Sequence, residues 1–108
     1  MNAFLLEMIF LSCNLNYASF YQVNLKNTDF SESTIQEADF TEANLAGSVF
    51  NNCDLQNAVF DRTNLMGANL ATASNYLINP TNNVVKNARF SYPGMVGLLA
   101  SFNVKIVK

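Results

Sequence analysis

Every fifth residue from position 5 to position 70 is large and apolar, and this spacing does not slip once. About three such residues would fall on those fourteen positions by chance, given the share of Leu, Phe and Ile in the chain. An α-helix repeats every 3.6 residues and a plain strand every two, so a period of five predicts short extended segments joined by regular bends. The predicted core positions are Leu5, Phe10, Leu15, Phe20, Leu25, Phe30, Ile35, Phe40, Leu45, Phe50, Leu55, Phe60, Leu65 and Leu70.

The two residues before each core position are also constrained. The first of them is small in thirteen of the fourteen units, and the second is Asn or Asp eight times, so the repeated unit is Ala-(Asp/Asn)-(Leu/Phe)-x-x. Alternate residues of extended backbone point to the same side, so the small and the large residue are predicted to face inward. The Asn or Asp then faces outward, where its side chain can satisfy backbone groups of the bend.

A longer period lies over the first, because Phe recurs every ten residues from 10 to 60 with Leu or Ile between. A coil of twenty residues would place these rings in two opposite columns, Phe10–Phe30–Phe50 and Phe20–Phe40–Phe60. Periodicity by itself leaves three, four or five units per coil open.

The repeated unit resembles that of the pentapeptide-repeat family over about residues 3–73. The resemblance implies an all-β fold, a right-handed quadrilateral β-helix with four pentapeptides per coil. The solenoid is expected to span residues 1–90, with an irregular loop at about 74–83 that contains Pro80. The core is expected to be filled, without a concave catalytic site.

The last segment, residues 91–108, is predicted to form a short helical cap and a terminal strand. Ser91 and Pro93 favour a helix start, and the helix is expected over 94–102. A helix and strand at this end resemble family members that dimerise through their C-termini, which makes Val104 and Ile106 the candidate dimer strand. Pairing of this strand with the last coil of its own chain is equally open.

The first outward-facing positions are unusually apolar for a solvated surface. Self-association, docking of a protein ligand, or missing upstream coils would each explain this patch. It comprises Phe4, Leu6, Ile9, Leu11, Tyr17 and Tyr21.

Charge is distributed unevenly, since all eight acids lie before residue 79 and four of the six basic residues lie after it. The chain has no cluster of Lys and Arg that could hold a phosphate backbone, so direct nucleic-acid binding is not expected. Some members of the family resemble duplex DNA and bind DNA gyrase or topoisomerase IV. The acids that could contribute to such a surface are Asp29, Glu32, Glu37, Asp39 and Glu42.

Residues that support catalysis or metal binding are scarce. The chain has no His, and its two cysteines, Cys13 and Cys53, stand in neither a CxxC nor a CxxH motif, so no cofactor, metal or catalytic residue is predicted. The apolar run at 3–11 is too short for a membrane span, and the cysteines fit a reducing cytoplasm. We therefore expect a non-enzymatic interaction module of a bacterial cytoplasm, with an unidentified protein partner. The alternative is a DNA-mimicking modulator of a type II topoisomerase that protects against quinolones.

Overall fold

The computed structural model describes residues 8–99. Several predicted features lie outside this range. They are the first core position, Leu5, two members of the N-terminal patch, Phe4 and Leu6, and the candidate dimer strand with Val104 and Ile106.

The backbone is a coil in which single-residue parallel bridges join positions twenty residues apart. One coil therefore takes four five-residue units. A bend follows every unit, so only about three residues at a time are extended and each pairing is one residue long. The bridges stack in four columns, which we call walls 1 to 4. Wall 1 contains Ile9, Asp29, Val49, Asn69 and Arg89, wall 2 contains Asn14, Thr34, Asp54 and Ser74, wall 3 contains Ser19, Asp39 and Val59, and wall 4 contains Asn24, Asn44, Asn64 and Val84.

The third residue of every bend from the one after Phe10 to the one after Leu65 has positive φ, as in a type II β-turn, whereas Thr72 in the bend after Leu70 does not. At the bend after Phe40, for example, the Ala43 N–H donates to the Phe40 carbonyl at 3.0 Å, and the φ of Glu42 is 58°. All the positive-φ residues but Asn75 are the last residue of a five-residue unit. They are Ser12, Tyr17, Gln22, Asn27, Glu32, Glu37, Glu42, Gly47, Asn52, Asn57, Arg62, Gly67, Asn75 and Asn87.

The outward Asn and Asp side chains stabilise these bends, which confirms the role predicted for them. In all eight cases the side-chain oxygen accepts a hydrogen bond from the backbone N–H two residues later, at 2.9–3.1 Å. Asn and Asp form this local turn more readily than other residues, which explains their frequency at this position.

The core is one narrow column of apolar side chains between the four walls. The ten predicted core positions from Leu25 to Leu70 are buried, whereas Phe10, Leu15 and Phe20 in the first coil are partly buried. The rings of Phe10, Phe30 and Phe50 stack with centroids 5.5 and 4.9 Å apart, and Phe20, Phe40 and Phe60 form a second stack at 5.2 and 5.3 Å. The two stacks meet edge to face, and such aromatic pairs add about 0.5–1.5 kcal/mol each beyond the area they bury.

The small inward position also carries hydrogen bonds. At Ser33, Ser48, Cys53 and Thr63 the side chain donates to the carbonyl of the core residue twenty-three positions earlier. Ser48, for example, donates to the Leu25 carbonyl at 2.7 Å and accepts from the Thr28 N–H at 3.2 Å. These groups give backbone atoms that face the core an additional hydrogen bond, which a small apolar residue cannot do.

The repeat breaks after Ser74, inside the segment expected to be a loop. Tyr76 and Ile78 turn inward and are buried, while Leu77 between them is exposed. Asn83 then restores the coil with the same two bonds that Ser48 makes, since it accepts from the Thr63 N–H at 2.8 Å and donates to the Phe60 carbonyl at 3.0 Å. Bridges resume at Val84 and Arg89.

Helix α1, Met95–Leu99, lies beside the last coil. It begins one residue later than predicted, and the predicted end at Phe102 lies outside the described residues. The Ser91 hydroxyl accepts from the Gly94 N–H at 3.0 Å, and the Ile78 N–H donates to the Gly97 carbonyl at 3.1 Å. A Cβ at Gly94 or Gly97 would collide with Tyr76, so glycine is what allows the helix to approach so closely.

Candidate interaction surfaces

The five acids singled out from the sequence lie in one coil but not on one wall. Asp29 lies on wall 1 and Asp39 on wall 3, while Glu32, Glu37 and Glu42 end three successive units and so occupy three successive bends. The acids form a band around the coil. Along each wall the neighbours of the two aspartates carry no charge. A duplex-like row of charge would run along the coil axis instead.

Each of these acids is already hydrogen bonded within the solenoid. Asp29 and Asp39 accept from the backbone of their own bends at 2.9 Å. Glu32 accepts from the Asn52 side-chain amide at 2.6 Å, and Glu37 accepts from that of Asn57 at 2.8 Å. The two aspartates are therefore held by their own bends and the two glutamates by the following coil.

Glu42 belongs to a mixed column of side chains at the third bend. The Gln22 amide donates to one of its carboxylate oxygens at 2.8 Å, and the Arg62 guanidinium lies 3.1 Å from the other. Arg62 also lies 3.5 Å from Asp61. Gln22, Glu42 and Arg62 are twenty residues apart, and these contacts place them in one column. The positive charge of Arg62 therefore offsets the negative charge of Glu42 in this column.

Asp54 was not among the candidate acids, yet it is the most closely surrounded carboxylate of the described residues. The Asn75 side-chain amide donates to it at 2.9 Å, the Gln36 amide at 2.7 Å and the Gln56 backbone N–H at 3.1 Å. The bond from Asn75, followed by those from Gln36 and Gln56, lowers the pKa of Asp54 against the opposing effect of burial. The repeat pattern does not predict this cluster, because Asn75 lies beyond the regular repeat.

The first coil differs in chemistry from the coils after it. Residues 8–24, which follow Glu7, carry no charged side chain, whereas the next seventeen residues carry five. Ile9 is 64% exposed, Leu11 52% and Tyr17 78%. The described part of the predicted N-terminal patch is therefore a solvent-facing apolar surface.

A cleft of about 520 Å³ lies between wall 2 and α1. The core itself is filled, so this cleft lies outside it, at the point where the chain leaves the repeat. Asn57, Asn75, Leu77 and Val96 are among its lining residues, none of which is charged. The Tyr76 hydroxyl is buried and has no hydrogen-bond partner within residues 8–99. Burial raises the pKa of Tyr76, and the neighbouring Ser91 opposes that rise.

The two cysteines are free thiols. Cys53 is buried and donates to the Phe30 carbonyl at 2.9 Å, and burial raises the pKa of its thiol to about 11. It is therefore protonated near neutral pH, which is unfavourable for a nucleophile or a metal ligand. Within residues 8–99 no three side chains of His, Cys, Asp or Glu come together as a metal site. The described helix is far too short to cross a membrane.

Comparison with known proteins identifies the repeat independently of its geometry. The model of the pentapeptide repeat region matches residues 1–70, and a comparison with curated protein sequences finds no match. Among solved structures, QnrB1, a plasmid-mediated fluoroquinolone resistance protein, is 12% identical with a TM-score of 0.50, over 92% of this chain and 45% of the other.

Two further solved pentapeptide repeat proteins are similar. HetL, from the cyanobacterium Nostoc, involved in heterocyst differentiation regulation, is 21% identical with a TM-score of 0.37, over 78% of this chain and 46% of its own. A protein of the Arabidopsis thaliana thylakoid lumen is 23% identical with a TM-score of 0.35, over 71% and 61%. The chain thus spans about half the length of these proteins.

Proposed function

Because the chain belongs to the pentapeptide-repeat family, we propose that it is a non-enzymatic module that binds a protein partner through its walls and bends. The observation that carries this proposal is the fixed position of the outward polar side chains. Asn52 and Asn57 hold Glu32 and Glu37 at 2.6 and 2.8 Å, and each outward Asn or Asp is bonded to its own bend. A pre-ordered polar surface loses little conformational entropy on binding.

The filled interior supports a role without catalysis. Catalytic sites are concave and bring several polar groups to one point, whereas the core here consists of stacked Phe and Leu side chains. The cleft beside α1 is concave, but its lining offers amides, hydroxyls and apolar groups without a charged acid, base or cation. The module accordingly needs no cofactor.

The proposed form of the module is a right-handed coil of square cross-section, capped by the segment that contains α1. The twenty-residue bridge spacing supports four sides, and the contacts of Gly94 and Gly97 with Tyr76 support the cap. The proposed location is the bacterial cytoplasm, where two free thiols are kept reduced. Direct nucleic-acid binding forms no part of this function.

A capture experiment that changes one wall at a time tests the module. Thr34→Arg on wall 2, Val59→Arg on wall 3 and Val84→Arg on wall 4 alter outward, exposed positions. We expect immobilised wild-type protein to retain a defined partner that one of these variants loses while the other two keep it. All variants must melt at the wild-type temperature. Retention of the same proteins by every variant and by an unfolded control would contradict the proposal.

The second candidate is a modulator of DNA gyrase or topoisomerase IV. The excess of acids before residue 79 and the similarity to QnrB1, a fluoroquinolone resistance protein, favour it. The band-like arrangement of the acids and the pairing of Glu42 with Arg62 count against it.

A gyrase supercoiling assay with and without a fluoroquinolone tests this candidate. If it is correct, the protein inhibits supercoiling or relieves drug-induced cleavage at micromolar concentration. The neutral variant Glu32→Gln/Glu37→Gln should then lose the effect, and the matched Asn52→Gln/Asn57→Gln variant, which keeps the charge, should retain more of it. The absence of any effect from wild-type protein removes this candidate and leaves the first one standing.

A further inference from the structure

Wall 4 differs in charge from the other three walls. It is built from the five-residue units 23–27, 43–47, 63–67 and 83–87. Seven of the eight acids lie within residues 8–99, and all seven belong to units of walls 1 to 3, while Glu7 lies outside that range. The four units of wall 4 carry two charged side chains, Lys26 and Lys86, and both are exposed. Wall 4 is therefore the positively charged side of an otherwise acidic coil.

The outward position of wall 4 is Asn in three successive coils, at Asn24, Asn44 and Asn64. Each Oδ1 accepts from the backbone N–H two residues later, at 3.0–3.1 Å, which fixes the orientation of the amide. The Nδ2 groups make no hydrogen bond within residues 8–99, and they form a row with a spacing of about 4.8 Å. The backbone groups of Asn44 and Asn64 are already bonded to neighbouring coils. The row therefore offers a partner mainly N–H donors.

The surface beside this amide row is low. Two successive units of wall 4 end in Gly47 and Gly67, whereas no described unit of walls 1 to 3 ends in glycine. A Cβ at Gly67 would meet no atom within 4 Å, so the backbone is open to close approach there. Met66 and Val84 are 44% and 47% exposed and add apolar contact. A partner can therefore lie flat along wall 4 and reach the amides.

These features are complementary to carboxylates, which accept hydrogen bonds from amides and pair with ammonium groups. Lys26 and Lys86 lie three coils apart, which corresponds to about 14 Å. An extended segment presents alternate side chains on one side at about 7 Å, so three of its carboxylates span the same length. We propose that wall 4 binds an acidic segment of a partner protein, with its carboxylates over the amide row between the two lysines.

This inference rests on the proposed function and adds the wall and the chemistry of the partner. Nucleic acid suits wall 4 less well than an acidic protein segment. Two lysines offer few phosphate contacts, and the seven acids of the other walls repel a duplex.

A nuclear magnetic resonance titration of ¹⁵N-labelled full-length protein tests the proposal. The probe is a peptide of alternating Glu and Ser, about nine residues long, and its control has Lys in place of Glu. We expect the glutamate peptide to shift the side-chain amides of Asn44 and Asn64 and the backbone amide of Met66. The lysine peptide should leave these resonances unchanged.

Two matched variants separate the amide row from net charge. Asn44→Asp/Asn64→Asp replaces donors of wall 4 by carboxylates, and the fold tolerates Asp in this position because Asp29 accepts the same bond from its bend. Asn14→Asp/Asn69→Asp makes the same change of charge on walls 2 and 1. The dissociation constant of the glutamate peptide should rise roughly tenfold or more in the first variant and less than about threefold in the second. Equal melting temperatures exclude misfolding as the cause.

Several outcomes overturn the proposal. They are the absence of shifts with the glutamate peptide, and an equal loss of affinity in both variants, which would reflect net charge alone. Larger shifts of the same amides with a short DNA duplex would assign wall 4 to nucleic acid instead. Shifts that grow with protein concentration without peptide would assign it to a second copy of the chain.

The capture experiment distinguishes this inference from the proposed function. A partner that is lost with Thr34→Arg or Val59→Arg and kept by Asn44→Asp/Asn64→Asp overturns the role of wall 4 and leaves the proposed function intact. A partner lost with Asn44→Asp/Asn64→Asp and kept by Asn14→Asp/Asn69→Asp supports both.

Discussion

Phe20 and Phe40 occupy the same position of the repeat in neighbouring coils, yet Phe40 is completely buried and Phe20 only partly. Phe40 stacks on Phe20 at 5.2 Å and on Phe60 at 5.3 Å, whereas Phe20 has one such stacked neighbour among the described residues. A single five-residue unit therefore does not bury its own core residue. Burial arises from having a coil on both sides, as expected for a solenoid in which each repeat contacts only its neighbours.

The largest expected effect comes from a charge at the centre of the Phe stack. Phe40→Asp buries a carboxylate without a partner and should destabilise the protein by several kcal/mol, on the order of its whole stability. Phe20→Asp, at the partly open position, should cost clearly less. Circular dichroism and thermal melting measure both, and equal losses would mean that the two coils are not different environments.

Cys13 and Cys53 occupy the same position of the repeat two coils apart, so their reactivities can be compared directly. We expect the thiol in the first coil to be the more reactive one. Cys53 is buried with a pKa of about 11, while Cys13 is only partly buried. Alkylation by iodoacetamide at pH 8 should modify Cys13 roughly 100-fold faster than Cys53, because only the thiolate reacts and Cys53 must first be exposed. Mass spectrometry of timed samples gives both rates. Equal rates in folded protein would contradict the buried position of Cys53.

The hydrogen bonds of the small inward position sharpen the comparison further. Ser48→Ala removes the bonds to the Leu25 carbonyl and the Thr28 N–H, which then keep only their bond to each other at 3.1 Å, and should cost about 0.5–1.5 kcal/mol. Cys13→Ala in the first coil removes one weak bond from a partly buried thiol, at 3.4 Å to the Leu11 carbonyl, and should cost less than about 0.5 kcal/mol. Urea titration measures the free energy of unfolding in each case. An unchanged free energy of unfolding in Ser48→Ala would show that only the small size of the side chain matters at this position.

Substitutions in the bends should lower stability less than those in the core. Two glycines allow the strain of the backbone to be separated from contact with the preceding coil. Gly47 and Gly67 both have a φ of 70°, where an added Cβ is strained by about 1–2 kcal/mol. At Gly47 that Cβ would also meet the Asn27 side chain of the preceding coil, whereas Gly67 faces open space. Gly47→Ala should therefore lose more stability than Gly67→Ala, and Gly67→Asn should lose least. Thermal melting ranks them, and the reverse order would contradict the coil-to-coil contact.

The smallest effect is expected at the exposed acids of the bends. Glu37→Gln keeps an oxygen that can accept from the Asn57 amide and should leave stability within about 0.5 kcal/mol of the wild type. A loss above 1 kcal/mol in urea titration would mean that this carboxylate has a structural role beyond that single bond.

Much of the fold follows from the sequence because each unit repeats the same local solution. The period of five identifies the buried positions from Leu25 to Leu70, and the outward Asn and Asp identify the bends. The hydrogen bonds of Ser33, Ser48 and Thr63 could not be predicted in the same way. Their partners are carbonyls twenty-three residues away, and the pattern records only that these side chains are small.

The end of the solenoid was harder to predict for a related reason. Tyr76 and Ile78 enter the core after the five-residue period has stopped, and the only local sign is the alternation of Tyr76, Leu77 and Ile78. Gly97 contacts Tyr76 through a helix that begins almost twenty residues later. The repeat predicts an outward position for the Asp residues, but the bond from the Asn75 amide to Asp54 depends on this irregular segment.

The twenty-residue spacing of the bridges also constrains how such a chain can change length in evolution. Removing or duplicating one complete coil leaves every remaining side chain in its original column. Phe then still stacks on Phe, and each bend still lies over the bend of the neighbouring coil. Removing five residues turns everything downstream by a quarter of a revolution and sets Phe columns upon Leu columns. Viable length variants of this chain should therefore differ by whole coils.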